Sequence, residues 1–171
     1  MFDVDTVQVN NGFMQLHITD IEAIGNGGRK YTVYNIKGND SLGPIEVIRR
    51  YKEFFVFREV LFQRYPGMFI PPIPPKQATG NKEETFVQER MYFLDQFLRT
   101  LCRTYYLCKT PEVQVFLRPQ GKVEDSLKSL SATTTDKVLQ FYTQNLQISS
   151  LHPQEGVLAR YTAEINDFVK E

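Results

Sequence analysis

A chain of 171 residues is long enough to bury a core of its own without metal or disulfide staples. Its 42% apolar and 23% charged content is that of a folded globular protein and excludes a disordered one. Twenty basic and twenty acidic side chains cancel to a net charge of zero, which argues against a nucleic-acid partner, because such domains carry a basic excess. Any anion site must therefore be local.

The N-terminal "MFDVDTVQVNNG" has acids where a signal peptide needs basic residues, and no segment approaches the ~18 apolar residues of a membrane span, so a cytosolic chain with at most peripheral membrane contact is expected. Asn39 in "NDS" is then a chance sequon. Residues 12–25, "GFMQLHITDIEAIG", alternate as a strand does, and "GNGG" follows as a turn. "RKYTVYNIKG" and "PIEVIRRY" continue the pattern and predict a three-stranded antiparallel meander. From Tyr51 the period changes: Phe54, Phe57, Arg58, Leu61 and Tyr65 recur at helical spacing. "YPGMFIPPIPPK" ends that helix in a polyproline II segment.

A second helix is predicted from about residue 83 to 107, and a short third one with Thr110 as N-cap and Pro111 as its first residue. Cys102 and Cys108 are spaced for neither a zinc site nor a C-x-x-C motif, so reduced thiols, no metal and no cofactor are expected. After "RPQG", "KVEDSLKSLSATTTD" reads as a linker or weak helix. Two amphipathic stretches follow, one carrying Val138, Leu139, Tyr142 and Leu146, the other Val157, Tyr161, Ile165 and Phe168. The predicted fold class is α+β: a β-meander packed on a helical subdomain with a proline-rich loop (1–119), followed by a helical extension (120–171).

Basic residues stand out at three places in the chain. Arg49 and Arg50 end a strand and must point to opposite faces, so at most one joins a common pocket; both could equally be solvated. Arg90 falls near the middle of the stripe formed by Phe86, Phe93, Leu94, Phe97 and Leu101, where a cation is costly unless it is paired, snorkels to water or meets a ligand. Lys76 closes "PPIPPK" on a stiff loop, which also reads as an SH3 ligand. Converging on one ligand, two arginines and a lysine with Tyr51 as an aromatic face suit a phosphorylated ring.

"RRYKEF" at 49–54, "PPIPPK" at 71–76 and "ERMYFLDQFL" at 89–98, with its R-x3-L-x2-F spacing at Arg90, Leu94 and Phe97, resemble the phox-homology (PX) domain, the phosphoinositide-binding module of sorting nexins. The resemblance covers about residues 5–118. It implies that Arg50 holds the 3-phosphate of phosphatidylinositol 3-phosphate, that Tyr51 packs on the inositol ring, that Lys76 contacts the 1-phosphate and that Arg90 binds the 4- and 5-hydroxyls. Arg49 is left as a solvent- or membrane-facing charge. Where many members follow the motif lysine with large apolar residues, this chain reads "QATGNKEE", so insertion there is expected to be weak. Met68, Phe69 and Ile70 are the substitute candidates for membrane contact.

An endosomal membrane is the location implied, with the C-terminal helices as a possible homo- or hetero-oligomer contact that would add a second attachment. No enzyme is expected: His17 and His152 lie in unrelated settings, and "GNGGRK" lacks P-loop spacing. The competing function is a protein-interaction scaffold that keeps the fold without using the lipid site.

Overall fold

Period-two patterning forms three strands in the computed structural model, which describes residues 14–25, 31–76, 84–119, 121–131 and 133–145. They are β1 (Gln15–Ile24), β2 (Tyr31–Asp40) and β3 (Gly43–Arg50), antiparallel in the order β1-β2-β3. Leu16 and Ile18 of β1, Val33 and Ile36 of β2 and Ile45 of β3 are buried. A register shift between Ile18 and Asp20 marks a bulge in β1. Beside it, the Ile18 N–H donates to Asp95 Oδ1 at 2.8 Å. The predicted turn in "GNGG" lies largely outside the described residues.

The strands leave no space at Gly38, which pairs with Leu16. A Cβ there would stand 1.8 Å from the Gln15 carbonyl oxygen, so only glycine allows this pairing.

Helix α1 (Tyr51–Arg64) turns Phe54, Phe57 and Leu61 inward, all fully buried. Helix α2 (Glu84–Arg103) adds Leu94, Phe97, Leu98 and Leu101. It stops before the predicted residue 107. The Thr104 hydroxyl bonds back to the Thr100 carbonyl at 2.8 Å, and the backbone at Thr104 (φ −88°, ψ 79°) leaves the helical region. A four-residue α3 (Tyr105–Cys108) follows, then α4 (Pro111–Leu117) with Pro111 in its first turn as expected. Thr110 occupies the N-cap position, but its hydroxyl donates to the Leu107 carbonyl at 2.8 Å and makes no side-chain cap bond to α4.

Aromatic rings fill the space between these helices. Phe57 stacks on Phe116 with centroids 4.3 Å apart, Phe54 meets Phe116 edge-on at 5.1 Å, and Phe97 touches both Phe54 and Phe57. Beside this cluster Glu112, fully buried on α4, takes Arg64 on one carboxylate oxygen and the Tyr65 hydroxyl on the other at 3.0 Å. Burial and the adjoining Glu112 push the Tyr65 phenol pKa up.

Arg49 corrects the sequence reading. Its alternation partner on β3 does face outward, but Arg49 itself is 6% exposed and cannot meet solvent or a membrane. Nε and Nη2 both donate to the Phe116 carbonyl, at 2.8 and 2.6 Å, Nη1 donates to the Ile48 carbonyl, and the guanidinium lies over the Phe116 ring. The carbonyl belongs to the last turn of α4, whose oxygens have no intrahelical partner. Burial lowers the Arg49 pKa, opposed by Glu53.

The stretch that read as a linker or weak helix forms a helix. "KVEDSLKSL" contains α5 (Val123–Lys128), whose Val123 and Leu127 are buried and whose Glu124 pairs with Lys52 of α1 at 2.8 Å. The first compact unit extends to residue 132. The second unit starts at Thr133 and holds α6 (Thr135–Asn145), on which Leu139 is 57% exposed. Leu146 and the predicted stripe from Val157 to Phe168 lie outside the described residues.

Two substitutions test this framework by urea denaturation. Gly38→Ala should cost about 2–3 kcal/mol, because backbone must move to admit the methyl group. Arg49→Ala should cost about 3 kcal/mol, through lost charged hydrogen bonds and an unpaired carbonyl. A stable Arg49→Ala protein would show that the tie between β3 and α4 is dispensable.

Candidate anion site

The site is built on the first turn of α1. Arg50 is the N-cap residue, extended at φ −90° and ψ 155°, and its backbone N–H donates to Glu53 Oε2 at 2.7 Å. That leaves its exposed guanidinium outside the helix, 4.0 Å over the ring of Tyr31. Tyr51 donates its hydroxyl to the Pro74 carbonyl at 2.6 Å, and Arg58 donates to the Pro71 carbonyl at 3.1 Å. These two bonds lay the proline segment back along α1, from Arg58 towards Tyr51. Lys76 thereby arrives near the helix start, with Nζ 3.5 Å from the centroid of the Phe55 ring.

Arg90 enters from α2 and is only 8% exposed. Its guanidinium lies over two rings, Tyr51 at 4.0 Å and Phe86 at 4.2 Å. Burial raises the pKa of both the Tyr34 and Tyr51 phenols, and the neighbouring Arg90 opposes the rise in each. Nε and Nη2 of Arg90 are buried without a hydrogen-bond partner. They form the side-on edge of the guanidinium, the fork that donates two parallel bonds to a pair of oxygen atoms. Arg90 also lines a groove of about 450 Å³, together with Pro72 to Pro75, Phe86, Glu89 and Phe93.

Arg50, Tyr51, Lys76 and Arg90 are thus gathered around one helix start. Among the described residues none of the three cations forms an ion pair with a carboxylate, whereas Lys37, Lys52, Arg58, Arg64, Arg99 and Arg118 all do. Such an arrangement can hold an anion with ring oxygens.

The membrane-contact candidates fare differently. Ile70 is buried at 6% exposure, packed beneath the loop, and Arg49 is inside the core, so neither can touch a bilayer. Phe69 is 59% exposed and Met68 half-buried, but both follow the C-terminal end of α1. Fourteen helical residues, ~21 Å, separate that end from the Arg50 end. The segment "QATGNKE", residues 77–83, lies outside the described residues.

Three site-forming rings escaped the sequence reading: Tyr31, Phe55 and, in this role, Phe86. Phe86 was visible as the i−4 neighbour of Arg90, a spacing that puts two side chains in contact on a helix. Tyr31 comes close only through strand register, which pairs Val33 with Arg50.

Among the described residues no helix is long and apolar enough to cross a membrane, and no cluster of three or more His, Cys, Asp or Glu could hold a metal ion. A three-stranded meander, a helical subdomain and a cationic pocket beneath a proline loop define a small anion-binding module. Residues 38–120 match the PX domain family and form a PX domain. Sorting nexin 1 of Arabidopsis thaliana is 30% identical over 123 residues, covering 68% of this chain and 31% of that protein, so the chain spans under a third of its relative. A designed CISK-PX domain matches 61% of this chain and 99% of its own with a TM-score of 0.56 at 29% identity. The mouse SNX19 PX domain, solved with bound sulphate ion, matches 63% of this chain and 97% of its own with a TM-score of 0.50 at 28% identity. PX domains bind phosphoinositide lipids, and the relatives matched here are sorting nexins.

The loop tie can be probed directly. Tyr51→Phe keeps the ring under Arg90 but removes the bond to Pro74, and should cost about 1 kcal/mol. Hydrogen exchange should show faster opening around residues 73–76, with α1 unchanged.

Proposed function

We propose that the chain is a non-enzymatic membrane-targeting module that recognises phosphatidylinositol 3-phosphate on endosomal membranes. Arg50 takes the 3-phosphate, Lys76 the 1-phosphate, Arg90 the 4- and 5-hydroxyls, and the Tyr51 ring face not covered by Arg90 supports the sugar. The observation that carries this reading is Arg90, a cation with 8% exposure and two unpartnered donors on one edge. A buried charge without a partner is costly, and two oxygens of a ligand would remove the deficit. The sulphate held by the SNX19 neighbour is consistent with oxyanion binding by this fold. Homo- or hetero-oligomerisation through the C-terminal segment would supply the second membrane attachment that a shallow site needs.

A scaffold reading draws on the apolar groove along Pro72 to Pro75, where a protein segment would lie. Liposome co-sedimentation separates the two. Vesicles containing phosphatidylinositol 3-phosphate should bind the chain well above plain vesicles, and Arg50→Ala or Arg90→Ala should weaken binding roughly 30-fold or more. Equal binding to both vesicle types leaves the scaffold reading.

A further inference from the structure

We propose that Phe86 is a positioning residue that fixes the donor edge of Arg90 and through it sets selectivity for the ring. This rests on the headgroup reading above and adds to it a residue that would not itself touch a phosphate. The guanidinium lies over two rings, Tyr51 at 4.0 Å and Phe86 at 4.2 Å, and both contacts limit how far it can tilt or swing. No carboxylate among the described residues shares the task. The remaining freedom is in the Nε and Nη2 edge, which is unpartnered. Two parallel donors at a fixed depth suit two adjacent hydroxyls and leave no slack for a bulkier phosphate in their place.

The Tyr51 side of the clamp is tied down by the bond to Pro74, whereas Phe86 stands in the first turn of α2 and also lines the groove. Removing its ring would let Arg90 tilt into that groove of about 450 Å³, losing aim and opening room beside the fork. The spacing of four residues makes the contact local to one helix, so the ring can be exchanged without disturbing the sheet.

The test uses Phe86→Leu and Phe86→Tyr with circular dichroism as the fold control. In the free protein, NMR should show the Arg90 Nε–H shifted upfield by the two rings and slow to exchange. Phe86→Leu should move it downfield and speed its exchange, and Phe86→Tyr should restore both. On vesicles, Phe86→Leu should bind phosphatidylinositol 3-phosphate about tenfold more weakly. It should also narrow the preference over phosphatidylinositol 3,5-bisphosphate, with Phe86→Tyr behaving as the unsubstituted chain. An Arg90 resonance indifferent to Phe86→Leu, or an unchanged affinity and preference, overturns the proposal while the lipid site stands. Failure of the unsubstituted chain to bind any phosphoinositide overturns the headgroup reading and this proposal with it.

Discussion

Three consecutive side chains at the β3–α1 junction leave the backbone in three directions, and most of the architecture hangs on that divergence. Arg49 goes inward and ties β3 to the last turn of α4 through the Phe116 carbonyl. Arg50 stays outside as the N-cap residue of α1. Tyr51 reaches sideways, its hydroxyl on the proline loop and its ring under Arg90 of α2. Strand alternation separates the first two, and the change from strand to helix rotates the third away from both. A one-residue slip here would exchange a core cation for a surface one and lose the loop anchor together.

Phe116 shows how closely core and site are coupled. Its carbonyl receives Arg49, and its ring stacks on Phe57 and meets Phe54, both on the helix whose first turn carries the pocket. The candidate anion site therefore sits on a helix whose inner face is fully buried. Its loop wall is held differently, by single hydrogen bonds from Arg58 and Tyr51 to proline carbonyls. Prolines have no N–H to give, so Pro71 and Pro74 bond through their carbonyls, and α1 supplies the donors.

Much of this was legible in the sequence because it is periodic or local. The meander, α1, the proline loop and the buried Arg90 followed from spacing, and the three-strand order follows from short turns. What escaped depends on partners far along the chain. Alternation says that Arg49 and Arg50 face oppositely, but which one faces the core is decided by a carbonyl 67 residues away. The stretch around Val123 and Leu127 read as either a linker or a weak helix, and the packing of α5 on α1 and α4 decides for the helix. Phe93 shares the apolar stripe of α2 yet is 45% exposed, since the element opposite is the open groove.

The charge distribution explains how a chain of zero net charge can keep a cationic pocket. Several of its acids are committed elsewhere: Asp40 to Arg118, Asp95 to Arg99, Glu112 to Arg64, Glu124 to Lys52. At Asp40 burial alone would raise the pKa, but hydrogen bonds from Arg118 and the Leu42 N–H bring it below the usual carboxylate value, so that acid stays ionised. In the pocket, rings take the place of acids, Tyr31 for Arg50, Phe55 for Lys76, Tyr51 and Phe86 for Arg90. A carboxylate would hold each cation but neutralise it, and an incoming anion would have to displace it. An aromatic face contributes about 0.5–2 kcal/mol, enough to order a side chain, and leaves the full positive charge for the ligand. Holding cations on rings thus gives pre-orientation without self-neutralisation.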